Sequence, residues 1–194
     1  MKRIFLFSLI LLQLAFSEKA PTAFDALKSA ENHIAKESVG KVIQIIGKRD
    51  EKTLTPSTWS FVFLDLNARQ QGRIVTIRAG KPIEIRDGYF ELDKMRLAAY
   101  KDNEVISPSS LKVDSNQALQ AIIKSGSLEK IKLSTVTFDL SRDNNARLPY
   151  WTVRLFADKD GKEEDIGYGV VSSETGGVVE LKLELQRLVD KKKK

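Results

Sequence analysis

The sequence of 194 residues contains 32 lysines and arginines, 26 aspartates and glutamates, one histidine and no cysteine, and its formal net charge is +6. Two of the basic residues lie at the amino terminus and four form the run 191–194. Without these six, the basic and acidic residues are equal in number. A nucleic-acid-binding domain carries its basic face on the folded body, so this distribution argues against a nucleic-acid partner. The absence of cysteine excludes disulfides.

The first 17 residues have the pattern of a secretory signal peptide. A basic start precedes an apolar run over residues 4–16, and the small residues Ala15 and Ser17 lie at positions −3 and −1 of an expected cleavage site. The run is shorter than the about 20 apolar residues of a spanning helix, although an uncleaved membrane anchor is the alternative. A lipoprotein anchor needs a cysteine, which is absent. We expect an exported protein, periplasmic or secreted, that begins at Glu18 and has no stable membrane anchor.

The first half of the mature chain predicts one helix followed by four strands. Residues 20–36 place apolar side chains at helical spacing, and Thr22 with Asp25 has the pattern of a capping box at the start of the helix. Short β-rich runs follow, separated by polar or turn-forming residues. The strands are expected at residues 39–47, 59–66, 73–79 and 83–85.

The second half predicts the same order of elements. Asp114 or Ser115 is the expected N-cap of a helix that starts near Asn116. The four strands are expected at residues 131–140, 150–157, 165–172 and 178–185. The basic run 191–194 is predicted to be a disordered tail, which either solvates the terminus or binds weakly to an anionic membrane or polymer.

The two halves align at a constant offset of 92 residues. Trp59 falls on Trp151, and Ile74 falls on Ile166. An internal repeat of this kind predicts two tandem units. The fold class is therefore predicted as α+β, with two units that each pack one helix on a four-stranded antiparallel sheet. The expected boundaries are a signal peptide at 1–17, a first unit at 18–86, a connecting segment at 87–113, a second unit at 114–190 and a tail at 191–194.

The second half resembles the PepSY and PepSY-like family of exported modules. The features that carry the resemblance are Gln117-Ala118-Leu119 in the helix, the strand that begins Pro149-Tyr150-Trp151, and Thr175-Gly176 in the last hairpin. The first half lacks this Thr-Gly pair in its hairpin at residues 78–82. The resemblance implies a cystatin-like wrapped sheet and a non-enzymatic role, such as inhibiting or chaperoning a secreted peptidase or binding peptides at the cell envelope. It carries over no catalytic residue.

The sequence offers little for catalysis or metal binding. The one histidine, His33, has no cysteine or Gly-x-Ser-x-Gly motif to act with, so a surface position is favoured. Gly167-Tyr168-Gly169 lies inside a predicted strand, where glycines indicate a bend, a bulge or a close backbone approach rather than a nucleotide loop. Five acidic residues lie around the predicted hairpin turn at residues 158–162. They do not have EF-hand spacing, so a solvated acidic turn is favoured and a calcium site is the alternative. These residues are Asp158, Asp160, Glu163, Glu164 and Asp165.

We therefore expect a non-enzymatic protein that binds a protein or peptide, and assign no catalytic, cofactor or metal residue. One helix covers only one face of a sheet, so partner binding is expected on the uncovered face or at an edge strand. The role would be to regulate or inhibit a secreted or envelope enzyme; a structural scaffold of the envelope is the alternative. An inhibitor or chaperone is expected to leave a concave apolar face open. Trp59 and Trp151 are either core residues or partner anchors. The partner-binding residues and the oligomeric state are not predicted.

Overall fold

The computed structural model describes residues 20–50, 53–88, 100–125, 128, 131–142 and 148–188. In these ranges the α-helices are α1 (Ala23–Glu31) and α2 (Ser115–Lys124), with short 3-10 turns between other elements. The strands are β1 (Val42–Gly47), β2 (Thr58–Leu64), β3 (Gly72–Arg78), β4 (Lys81–Asp87), β5 (Leu133–Arg142), β6 (Pro149–Lys159), β7 (Lys162–Ser172) and β8 (Val178–Leu183).

Two of the predicted segments, the signal peptide at 1–17 and the tail at 191–194, lie outside the described residues. None of the helices within the described ranges is long and apolar enough to cross a membrane.

All eight strands form one antiparallel sheet in the order β4-β3-β2-β1-β5-β6-β7-β8. The two halves join where β1 pairs with β5, with Ile46 opposite Asp139. The Gln44 side-chain amide also donates to both carboxylate oxygens of Asp139, at 3.1 Å each. The predicted fold of two units, each with its own four-stranded sheet, is therefore wrong. Alternating apolar residues identify a strand and its buried face but not its neighbour, and here the free edges of β1 and β5 pair with each other.

Both helices pack on the same face of the sheet and cover a single large core. At its centre the ring of Phe138 lies 5.6 Å from that of Trp59 and 5.9 Å from that of Trp151, measured between centroids. Each indole N–H donates to a backbone carbonyl, Trp59 to Pro21 at 3.0 Å and Trp151 to Val113 at 2.7 Å. Both tryptophans are at most 1% exposed, so the interpretation as core residues is confirmed.

The two helices begin beside each other. The predicted capping box of Thr22 and Asp25 is confirmed in α1, and Asp114 is the N-cap of α2. The Asp114 carboxylate also accepts from the backbone N–H of Phe24 at 3.2 Å, and the Ser115 hydroxyl accepts from Ala23 N–H at 3.1 Å. Free N–H groups of α1 are thus satisfied by the start of α2, and one carboxylate lies at two positively polarised helix termini.

The opposite face of β1–β3 packs against Tyr100, with the partly buried Val105 beside it. Ile43, Ile46, Val62, Leu64 and Ile74 form a second buried cluster there, together with Tyr100. Tyr100 is 1% exposed. The sheet therefore has both faces covered over β1–β3, in contrast to the corresponding surface of β5–β8.

Candidate functional site

The face of β5–β8 that points away from the helices, here called the open face, carries mostly polar side chains. On β6 the buried Trp151, Val153 and Leu155 alternate with the exposed Thr152 and Arg154. The strand register extends this surface to the neighbouring strands, because Thr137 and Tyr168 lie opposite Arg154 and Lys182 lies opposite Tyr168. All these polar side chains are exposed or half-buried, although β6 and β7 are interior strands of the sheet. The sequence predicts that the helices leave one face of the sheet uncovered, and over β5–β8 this surface is that face.

A pocket of about 130 Å³, here called the ionic pocket, lies at the end of the open face near β8. Three cationic side chains surround it, and each is ion-paired with a carboxylate: Arg154 with Asp165, Lys182 with Glu180, and Arg187 with Glu184. The lining residues are Arg154, Asp165, Gly167, Tyr168, Lys182, Glu184 and Arg187.

Several contacts of the pocket converge on Asp165. Its Oδ2 lies 2.5 Å from Arg154 Nη2 and accepts from Arg154 Nε at 2.7 Å, so two nitrogens of the guanidinium contact the same oxygen. Its Oδ1 accepts from Gly167 N–H at 2.9 Å. Partial burial acts to raise the pKa of Asp165, but the hydrogen bonds from Arg154 and Gly167 and the charges of Arg154 and Arg187 outweigh it. The pKa is therefore lowered, and Asp165 is ionised at neutral pH.

A second group joins β7 to β8 on the same surface. Lys182 Nζ lies 2.7 Å from Glu180 Oε1 and 5.6 Å from the centroid of the Tyr168 ring. The Tyr168 hydroxyl donates to the same Glu180 oxygen at 3.2 Å. The hydrogen bond and charge of Lys182 lower the pKa of Glu180. The pKa of Lys182 is raised, mainly by Glu180 and secondly by Tyr168. Both groups carry their full charge across the physiological range of pH.

Gly167 sets the backbone geometry of the pocket. It has φ +118°, and the β6–β7 register shifts between Leu155 and Phe156, where Asp165 and Gly167 lie opposite. A Cβ atom at this position would lie 2.0 Å from the carbonyl oxygen of Lys182. The prediction of a bulge or close backbone approach at residues 167–169 is thus confirmed. The shift aims the Asp165 carboxylate at Arg154.

The other residues singled out in the sequence do not form a second site. His33 is exposed, just past the end of α1. Of the acidic residues around the β6–β7 hairpin, Asp165 is paired with Arg154 and Glu163 lies 2.6 Å from Arg49. Among the described residues, no group of three or more His, Cys, Asp or Glu side chains is placed to hold a metal ion.

Comparison of the chain with protein-family models, with curated proteins and with solved structures finds no match in any of the three. The resemblance to PepSY-like modules therefore stays a prediction. The function has to be argued from the geometry of the open face and the ionic pocket.

Replacing Arg154 with glutamine should raise the pKa of Asp165. The substitution removes a hydrogen-bonding cation and leaves the unfavourable effect of burial, so protonation of the carboxylate becomes easier. In the wild type, the lowered pKa means that ionised Asp165 adds stability above its ordinary pKa. This stability is lost as the pH falls through the folded value. In the variant this stabilisation should be smaller, and its loss should be complete at a higher pH.

The measurement is a titration of the Asp165 carboxyl carbon by NMR, with acid unfolding followed in parallel. Arg73→Gln is the control, because it removes a guanidinium from Asp65 and Asp87 elsewhere in the sheet. An Asp165 pKa that is the same in wild type and Arg154→Gln would show that Arg154 does not act on this carboxylate in solution.

Proposed function

We propose that the chain is an exported, non-enzymatic module that binds a protein or peptide partner on the open face of β5–β8. One contrast within the sheet supports this most. Over β1–β3 the face away from the helices carries a buried apolar cluster that includes Tyr100. Over β5–β8, the described part of the chain leaves polar side chains of interior strands exposed or half-buried. The predicted export signal in residues 1–17 and the resemblance of the second half to PepSY-like modules agree with this role.

The chemistry of the open face indicates what kind of partner it fits. Arginine and tyrosine are enriched in protein interfaces and among residues that dominate binding energy. Here Arg154 on β6 and Tyr168 on β7 lie directly opposite each other, with threonine hydroxyls beside them. The concave apolar face expected of an inhibitor or chaperone is not what these strands present. We therefore favour a polar partner segment whose own charged groups engage the guanidinium of Arg154 and the ion pairs around it.

Comparative capture of the partner tests the proposal. The full-length sequence is expressed in its own cells with a carboxyl-terminal tag, and the exported protein is cross-linked and recovered from the envelope and culture fluid. We compare the wild type with Arg154→Glu, which reverses the charge of an exposed β6 residue on the open face. Lys28→Glu is the matched control, because it makes the same change of charge on the exposed side of α1.

The proposal expects a specific protein that the wild type and Lys28→Glu recover in equal amounts and that Arg154→Glu largely loses. Far-UV circular dichroism of the three proteins checks that each is folded. Equal recovery by Arg154→Glu would exclude the open face as the binding surface. Recovery of no specific protein would reject the binding module in favour of a structural envelope protein.

A further inference from the structure

Strand β8 (Val178–Leu183) is the last strand of the sheet in the described part of the chain, and the hydrogen bonds beside it show which way its backbone groups point. Glu184 N–H donates to Ile166 carbonyl at 2.9 Å, in register with Gly167 opposite Leu183. In an antiparallel pair, residues that bond to the neighbouring strand alternate with residues whose N–H and C=O point away. Leu181 and Leu183 therefore direct both backbone groups outward, away from β7.

The sequence of β8 is complementary to itself in this arrangement. We propose that two copies of this chain associate by antiparallel pairing of their β8 strands, with a two-fold axis at Leu181. The outward N–H and C=O of Leu181 in each copy then bond to those of the other. Identical edges that face each other across a two-fold axis form a closed dimer, in which two eight-stranded sheets become continuous.

The side chains fit the same register. Residues at equal distances on the two sides of Leu181 face each other across the axis, so Glu180 of each copy lies opposite Lys182 of the second copy. Each carboxylate then has a lysine beside it in its own strand, 2.7 Å away, and another across the interface. Opposite charges at directly opposed positions of an antiparallel pair are stabilising, and like charges are destabilising.

The opposite edge of the sheet, β4, matches itself less well. It also contains a Glu-aliphatic-cation sequence, Glu84-Ile85-Arg86. Pairing centred on Ile85, however, places the apolar Ile83 opposite Asp87, which is already 2.8 Å from Arg73. The strand also contains Pro82, which has no N–H to donate, and proline is a common protection of an edge against pairing. The described part of β8 contains no proline, so we place the contact there.

Sedimentation equilibrium of the full-length gene product, purified after export, tests the proposal over a wide range of concentration. The wild type should show a reversible monomer–dimer equilibrium. Glu180→Lys and Lys182→Glu each place like charges across the two-fold axis, and each should raise the dissociation constant by about tenfold or more. An equal mixture of these two variants pairs lysines with glutamates at every charged position. It should form a heterodimer about as tight as the wild type.

The double variant Glu180→Lys/Lys182→Glu restores the pairing within one chain and should dimerise like the wild type. The β4 charge reversals Glu84→Lys and Arg86→Glu are matched controls and should leave the dissociation constant unchanged. A wild type that stays monomeric, single variants that dimerise normally, or a mixture that does not recover association would each overturn the proposal. Partner capture through Arg154 does not depend on this dimer, so either proposal can be rejected while the other stands.

Discussion

Replacing Trp151 with alanine should lower the free energy of unfolding by about 3–5 kcal/mol, the range for removal of a large buried aromatic side chain. Trp151 is 0% exposed, and its ring lies 5.9 Å from that of Phe138 and 6.4 Å from that of Phe24. The substitution leaves a cavity between α1 and the sheet and removes the donor to the Val113 carbonyl. That hydrogen bond, 2.7 Å long, anchors the segment that leads into α2.

Urea denaturation followed by far-UV circular dichroism measures this loss. Leu66→Ala is the control, because Leu66 is 64% exposed and its truncation should change the stability by less than about 0.5 kcal/mol. Trp151→Phe keeps most of the volume but not the N–H, and should fall between the wild type and Trp151→Ala. A loss in Trp151→Ala no larger than that in Leu66→Ala would mean that the side chain is not packed between α1 and the sheet.

Gly167→Ala should have the second largest effect, a loss of about 2–4 kcal/mol. The added Cβ atom would lie 2.0 Å from the Lys182 carbonyl oxygen, so the β7 and β8 backbones must move apart. The φ of +118° adds strain that glycine alone avoids. Because Asp165 is positioned by the same bulge, we also expect its contact with Arg154 to weaken.

Thermal unfolding and hydrogen exchange of the β8 amides together measure the effect of Gly167→Ala. The matched control is Gly161→Ala in the β6–β7 hairpin, where φ is +77° but no atom lies within 4 Å of the added Cβ. This control should show the backbone strain alone, about 1–2 kcal/mol, and normal exchange in β8. Equal losses and equal exchange in the two variants would show that β8 does not approach Gly167 as closely as described.

The sequence predicts the local elements well because their signals are local. The capping box of Thr22 marks the start of α1 and Asp114 that of α2, since both depend on side chains within three residues. The end of α1 is less well predicted. The sequence predicts a helix over residues 20–36, but α1 ends at Glu31, and no proline or glycine beside Asn32 marks this end. The pairing of β1 with β5 was not predicted. The local sequence of β1 does not show whether it pairs only with β2 or has a second neighbouring strand.

The ionic pocket was not predicted for a related reason. The alternation in β6 does show that Thr152 and Arg154 face away from the core. An uncovered surface was expected because one helix covers only one face of a sheet. That Arg154 meets Asp165 depends on the β-bulge beside Gly167, and a shift of one residue would place the carboxylate on the other face. The contribution of Arg187 depends on how the chain turns after β8, which no pattern in the sequence indicates.

The shared start of the two helices has a consequence for how the molecule unfolds. Asp114 and Ser115 satisfy backbone N–H groups of Phe24 and Ala23, and β5 completes the hydrogen bonds of β1. Separating the two halves would leave buried donors unsatisfied at one end of the core and open two interior strand edges at the other. Neither half then has a low-energy state of its own, so the sequence repeat does not correspond to two independent folding equilibria. The described chain is expected to lose its structure in one cooperative transition.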